Sequence, residues 1–297
     1  MSAAAARPGV ARALLAHGSV RLGGAILLII ALVGLLAPLL APLDPAQIDP
    51  TMRNKLPGFT AERLLPDGSM ATVTHWLGTD QLGRDLLSRV MYGARVSLVV
   101  GLTVAVISVA LGLGIGLVAG YVRWLDGAFM RVMDGLMAIP PILLALALVA
   151  LWGAGLVTVI LAVAIPEVPR VVRLVRSVVL SVREEPYVEA AISVGTPTPL
   201  ILTRHVVPNT VAPLIVQGTY VCASAILVEA ILSFLGVGIP TDIPTWGNIM
   251  AEGRLLFRVF PHNILFPGIL LALTVLAVNM MGDGMRDTLD PKLARRV

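Results

Sequence analysis

The chain has 297 residues, 57% of them hydrophobic and only 13% charged, with a mean hydropathy of +0.89. Water-soluble domains carry about 25% charged residues, so this composition argues against an ordinary cytosolic enzyme, a nucleic-acid-binding domain and a disordered tail. The net charge of +4 is too small to call for a polyanionic partner, and the single Cys222, in an apolar stretch, rules out an internal disulfide.

Crossing a hydrocarbon layer about 30 Å thick takes about 20 predominantly apolar residues in a helix. In chain order, residues 1–21 form a tail and 22–43 the first span, bounded by Arg21 and Asp44. This span is too late and too long for a cleaved leader. Residues 44–95 are a charged insert and 96–282 a transmembrane core, leaving 283–297 as a second tail. Within the core, 96–122 carries no charge and forms the second span. The uncharged run 135–166 would reach about 48 Å as one helix, so it divides into two spans at Trp152, Gly153 and Gly155. Residues 210–237, interrupted only by Glu229, and 259–282 complete a count of six.

Six spans place both termini on one side. Fourteen Lys/Arg then fall on the terminal face, including Arg7, Arg12, Lys292, Arg295 and Arg296, against eight on the other. The positive-inside bias makes the termini cytoplasmic and the insert extracytoplasmic. Gly112, Gly116 and Gly120 share one helical face, which permits close helix approach within the chain or between subunits. Pro140 and Pro141 should bend or interrupt the third span. Trp76, Tyr92, Tyr121, Trp124 and Trp246 fall near predicted span ends, as interfacial aromatics do.

Catalytic signatures are missing. No GxxxxGK[ST] loop, HExxH, GxSxG or Cys/His ligand cluster occurs, and the four histidines are scattered. Neither a catalytic residue nor a metal site is expected. Membrane acids are few, and Glu229 lies far along the fifth span. It reads as a structural polar contact near the outer face, a gating or pathway residue, or a proton relay. In the insert, Asp80 is placed to cap a helix starting near Gln81, and Asp85 and Arg89 are spaced i,i+4 for pairing.

Between the fourth and fifth spans, Arg170, Arg173 and Arg176 repeat every third residue, and Pro186 can open a short helix. Tyr187, Ala190, Ala191 and Val194 share one side of it, Glu189 faces out, and Gly195 permits a sharp exit. Such a helix held between spans suits force transmission from a soluble partner, or a peripheral interfacial role.

Here the sequence resembles the inner-membrane permease subunits of bacterial ABC importers, closest to the C-type permease of dipeptide/oligopeptide and nickel systems. The marks are "EAA" at 189–191 with Gly195 and Pro208, "HWLGTDQLGRDLLSRVMYGARVSL" at 75–98, "RHVVPN" at 204–209, "ILVEAILSFLGVG" at 226–238, "PTWGNIM" at 244–250 and "NMMGDGMRDTLDP" at 279–291. The resemblance implies an all-α membrane protein with the type I ABC importer permease fold: six transmembrane helices and a cytoplasmic coupling helix near 186–196. By it, Glu189, Ala190, Ala191 and Gly195, with Tyr187 beside them, belong to the ATPase-docking helix. Asp80, Gly83, Arg84 and Asp85 match the family's extracytoplasmic signature. The implied partners are a second related permease, two ATPase subunits that bind ATP and Mg, and an extracytoplasmic solute-binding protein. The chain itself would sit in the bacterial inner membrane among lipid, hold no cofactor and bind no nucleic acid. Its implied function is non-catalytic translocation of dipeptides or oligopeptides, with nickel or glutathione as alternatives in the same family and a secondary carrier as a more distant one.

Overall fold

A computed structural model describes residues 14–64 and 70–289. The expected tails therefore fall largely outside the described residues, as do Arg7, Arg12, Lys292, Arg295 and Arg296 of the charge count. The helices are α1 (Gly18–Leu40), α2 (Leu86–Tyr121), α3 (Arg123–Met137), α4 (Pro141–Trp152), α5 (Leu156–Arg183), α6 (Pro186–Ser193), α7 (Thr198–Ile201), α8 (Val207–Phe234), α9 (Trp246–Gly253) and α10 (His262–Leu289). Helix α7 continues through a π-helical turn, Leu202–Val206, into α8. Pro208 explains that turn, because its ring lacks an N–H and would clash with the Arg204 carbonyl in a regular helix.

Helices α1, α2, the Thr198–Phe234 rod and α10 are each long and apolar enough to cross a membrane. Helices α3 and α4 are apolar enough only as a pair, bent by 87° at the break before Pro141, and count as a fifth crossing when the pair is read as one broken span rather than a re-entrant loop. Both prolines lie at that break, so the third span is interrupted as expected. The expected turn at residues 152–155 is also present, with Gly153 at φ +90° between α4 and α5. Helix α5 is the sixth long helix. Its apolar first half gives way to Glu167, Arg170, Arg173 and Arg176, which keeps it apart from the uniformly apolar crossings.

Small residues set the helix spacing. A Cβ on Gly112, Gly116 or Gly120 would lie 2.4, 2.6 or 2.7 Å from Val171, Val175 or Val179. The glycine face of α2 is thus an internal seam against the valine face of α5. On the outer side of the bundle, Gly23 of α1 lies against the Ala277 carbonyl of α10, and Gly34 against the Arg95 backbone of α2. Two ion pairs fasten α3 to α5. Arg176 donates to both Asp126 oxygens at 2.5 and 2.6 Å, and Arg173 to Asp134 at 2.6 Å.

The two ends of the bundle can be told apart. His17 at the start of α1 meets Asp287 at the end of α10 at 3.8 Å, so both ends of the described chain share a side. A cavity of about 600 Å³ lined by Pro208, Asn209, Arg286 and Leu289 puts the start of α8 there too. The opposite end holds the insert and α9. The insert contains an antiparallel hairpin, β1 (Phe59–Leu64) and β2 (Met70–His75), an exception to the all-α expectation. Helix α2 starts at Leu86, after the helix start expected near Gln81 and ahead of the uncharged span expected from 96, and Arg89 in its first turn is paired with Asp80. Trp246 is fully buried, not interfacial, and its indole N–H donates to the Val90 carbonyl at 3.1 Å.

Candidate functional site

Two sites emerge, one at each end of the bundle. At the terminal end, α6 is a two-turn helix opened by Pro186 at its first position. Its single fully buried side chain, Val188, anchors it in the main core. Asn209 Nδ2 donates to the Tyr187 hydroxyl at 3.3 Å, tying α6 to α8. The Gly195 N–H reaches the Ile192 carbonyl at 2.9 Å and the Thr196 N–H the Ala191 carbonyl at 3.0 Å. With Gly195 at φ +79°, this pair of bonds is a Schellman stop, and glycine is needed for it. Facing outward are Tyr187 (46% exposed), Ile192 (49%) and Val194 (82%). Glu189 and Ala190 are exposed beside them and Ala191 is half-buried. An anchored, eight-residue helix with an apolar outer face can receive a soluble partner and pass its movement to α5 and α8.

At the other end, residues 75–89 fold onto α9 as a buried ionic seam. Gly83 takes φ +78°, and a Cβ there would sit 1.8 Å from the Asp49 carbonyl oxygen. That turn aims Asp80 back at its own loop. One Asp80 oxygen accepts from the Leu82 and Arg84 backbone N–H groups at 2.8 and 2.9 Å. The other accepts from Arg84 Nε at 2.7 Å and Arg89 Nη1 at 2.8 Å. Arg84 and Arg89 also reach Glu252 Oε2, at 2.5 and 3.1 Å, and so bind α9. The Gln81 side chain donates to the Glu252 carbonyl.

Two local expectations are corrected here. Asp85, not Asp80, caps α2, accepting from the Ser88 N–H at 2.8 Å. Asp85 does not pair with Arg89 either; its other oxygen meets His75 Nδ1 at 2.9 Å, while Arg89 turns to Asp80 and Glu252. The i,i+4 spacing permitted the pair, but the N-cap geometry of Asp85 directs its carboxylate away from the helix side. Asp80, Gly83, Arg84 and Asp85 are nonetheless brought together. Arg89 and His75, from the same 75–98 stretch, and Glu252, which lies outside it, complete the set.

Glu229 stands apart from both sites. It is fully buried in α8, where one oxygen accepts from Ser233 Oγ at 2.8 Å and Thr245 lies alongside. Ser233 Oγ in turn accepts the Ile239 N–H at 3.2 Å. Glu167 of α5 is also buried, held by Ser224 at 2.8 Å and Arg170 at 3.1 Å. Among the described residues, no His/Cys/Asp/Glu group is arranged to hold a metal.

The family model of the binding-protein-dependent transport system inner membrane component matches residues 112–295, and that of the N-terminal TM domain of oligopeptide transport permease C matches 9–57. The chain belongs to this permease family. It is 52% identical to a probable peptide ABC transporter permease protein of Sinorhizobium fredii, over 94% of this chain and 91% of that one. It is 42% identical to the dipeptide transport system permease protein DppC of Alkalihalophilus pseudofirmus, over 88% and 82%. It is 44% identical to the glutathione transport system permease protein GsiD of Escherichia coli, over 75% and 74%. The inward-facing MetNI methionine ABC transporter shares its fold, with a TM-score of 0.55 at 17% identity over 69% of this chain and 97% of that one. The permease chain is therefore a multi-pass inner-membrane transport component with the type I importer fold, and its family implies ATPase and other subunits.

Proposed function

We propose that this permease is one half of the translocation pathway of an ATP-driven importer of dipeptides or oligopeptides. The observation that carries the energy-coupling part is α6: an apolar, outward-facing helix locked by Val188 and Gly195 at the end of the bundle opposite the insert. The chain carries no P-loop of its own, so two partner ATPases would bind ATP and Mg and drive alternating access by pressing on Tyr187, Glu189, Ala190 and Ala191. A second, related permease would close the pathway. A solute-binding protein would deliver substrate to the end that carries Asp80, Gly83, Arg84 and Asp85.

Peptide as the substrate is supported by the names of the similar permeases, the Sinorhizobium and DppC proteins among them. The GsiD likeness favours glutathione, itself a tripeptide, as the second reading. Calorimetry of the cognate binding protein against dipeptides, tripeptides, glutathione and a nickel–histidine chelate is the test. Micromolar or tighter peptide binding is expected. Tight binding of glutathione or nickel chelate with no response to other peptides would move the substrate and leave the importer assignment standing.

A further inference from the structure

The cavity of about 600 Å³ at the terminal, cytoplasmic end lies where α5, α8 and α10 meet, with Leu174 and Val216 in its apolar wall. Set into that wall are the side chains of Gln217, Tyr220 and Arg286. Gln217 Nε2 is shut off from solvent and reaches no acceptor in the protein. Such an amide is costly unless something in the cavity accepts from it. The Tyr220 hydroxyl donates to Asp283 and lies beside Arg286. Among the described residues Arg286 belongs to none of the ion pairs. A guanidinium has more N–H groups than one hydroxyl can accept, so Arg286 offers the rest to the cavity.

The polar lining continues inward from there. Ser224 stands two turns beyond Gln217 on the same face of α8, and Glu167 stands two turns before Leu174 on the same face of α5. Ser224 donates to Glu167 at 2.8 Å, and Arg170, its side chain half exposed, donates to Glu167 at 3.1 Å. This second layer lies about 10 Å deeper in the bundle. Charged side chains at such depth face protein or water rather than lipid. The cavity therefore opens onto a wetted pathway.

We propose that this cavity binds the C-terminal carboxylate of a peptide on its way to the cytoplasm, with Arg286 and Gln217 donating to the carboxylate and the apolar wall taking the adjoining side chain. The proposal rests on the reading of the chain as a peptide permease. A guanidinium and an amide N–H converging in an apolar cleft suit an oxyanion carried on an apolar body. A bare inorganic anion would leave that wall unused.

The test uses the complete importer in phosphatidylcholine nanodiscs without its solute-binding protein, so that only the membrane assembly is read. The probe is the radiolabelled dipeptide Ala-Leu. Saturable binding is expected, displaced by unlabelled Ala-Leu and about tenfold less well by its C-terminal amide. Arg286→Gln should weaken binding by about tenfold or more, and Arg286→Lys by less. Ala212→Phe fills the cavity while leaving its donors in place, should also weaken binding, and decides the matter where Arg286→Gln fails to assemble. Absence of saturable binding, equal displacement by the amide, or unchanged affinity in either Arg286→Gln or Ala212→Phe would overturn the proposal. So would displacement of the dipeptide by phosphatidylglycerol added to the discs, which would give the cavity to a lipid headgroup. Uptake of Ala-Leu into proteoliposomes with the binding protein present keeps the two readings apart. Uptake without this binding sinks the site alone, whereas failure to take up any peptide sinks the peptide reading itself.

Discussion

Asp80 holds two guanidiniums with one carboxylate oxygen and two backbone N–H groups with the other. Its side chain and those of Arg84 and Arg89 are at most 6% exposed, so Asp80→Asn removes charge from a site that water cannot reach. Breaking a buried pair from one side costs about 3–5 kcal/mol. Thermal unfolding in detergent should therefore show a large loss for Asp80→Asn, and an unchanged midpoint would contradict this pairing. Gly83→Ala should fail similarly, since its Cβ would overlap the Asp49 carbonyl. Asp80, Gly83, Arg84 and Asp85 were legible as one group through the family resemblance, whose signature they match. The sequence hid Glu252, which is 168 residues from Arg84 and shares no helical or strand spacing with it. It hid the Asp85–His75 pair for a related reason: an N-cap and a strand end meet only once the hairpin has folded.

At the scale of elements, glycine has two different uses along α2. Gly116 faces Val175 so closely that a Cβ would lie 2.6 Å away, whereas Gly114 has nothing within 4 Å. Gly116→Val should cost about 1–3 kcal/mol through overpacking, while Gly114→Ala should gain up to about 1 kcal/mol from helix propensity. Paired unfolding midpoints check this, and a neutral Gly116→Val would mean that the α2–α5 seam is looser than described. Helix α6 invites a functional comparison. Gly195→Pro forbids φ +79° and deletes the N–H bound to Ile192, and Glu189→Arg reverses charge on an exposed position. Both should lower transport-coupled ATP hydrolysis several-fold while membrane insertion, read by expression and solubilised yield, stays intact. Normal coupling in both would remove α6 from the energy pathway. The short helix and its stop were readable from Pro186 and Gly195, because breakers act locally. The hairpin was not, since "FTAERL" lies in a charged insert and its apolar alternation stops after Phe59 and Ala61, too short to mark a strand.

For the whole molecule, orientation follows from placing α6 and the chain ends on one side and α9 with the insert on the other. Val194 and Leu255 are 82% and 84% exposed at the opposite ends. Single cysteines at these positions, in a Cys222→Ala background, should react with impermeant reagents from opposite faces of the membrane, Val194→Cys from the cytoplasm. Labelling from one face would mean a misread crossing. Four of the expected spans, at α1, α2, α8 and α10, were readable because hydrophobic runs and charges partition sharply between lipid and water; the expected count of six goes beyond these four and the bent α3–α4 pair. The break of α3 from α4 was readable too, though its angle was not: prolines mark where a helix ends, and packing against α5 through Asp126 and Asp134 sets where the next one points.

Three of the four tryptophans, Trp76, Trp124 and Trp152, are 65%, 80% and 49% exposed, while Trp246 is fully enclosed. Its ring lies against Gly93 and its N–H is held by Val90. With the other three changed to phenylalanine, the remaining indole becomes an optical gauge inside the protein. Its emission, blue-shifted while α9 is seated against α2, would move to longer wavelength whenever water enters beside it, giving a label-free signal in real time through a transport cycle.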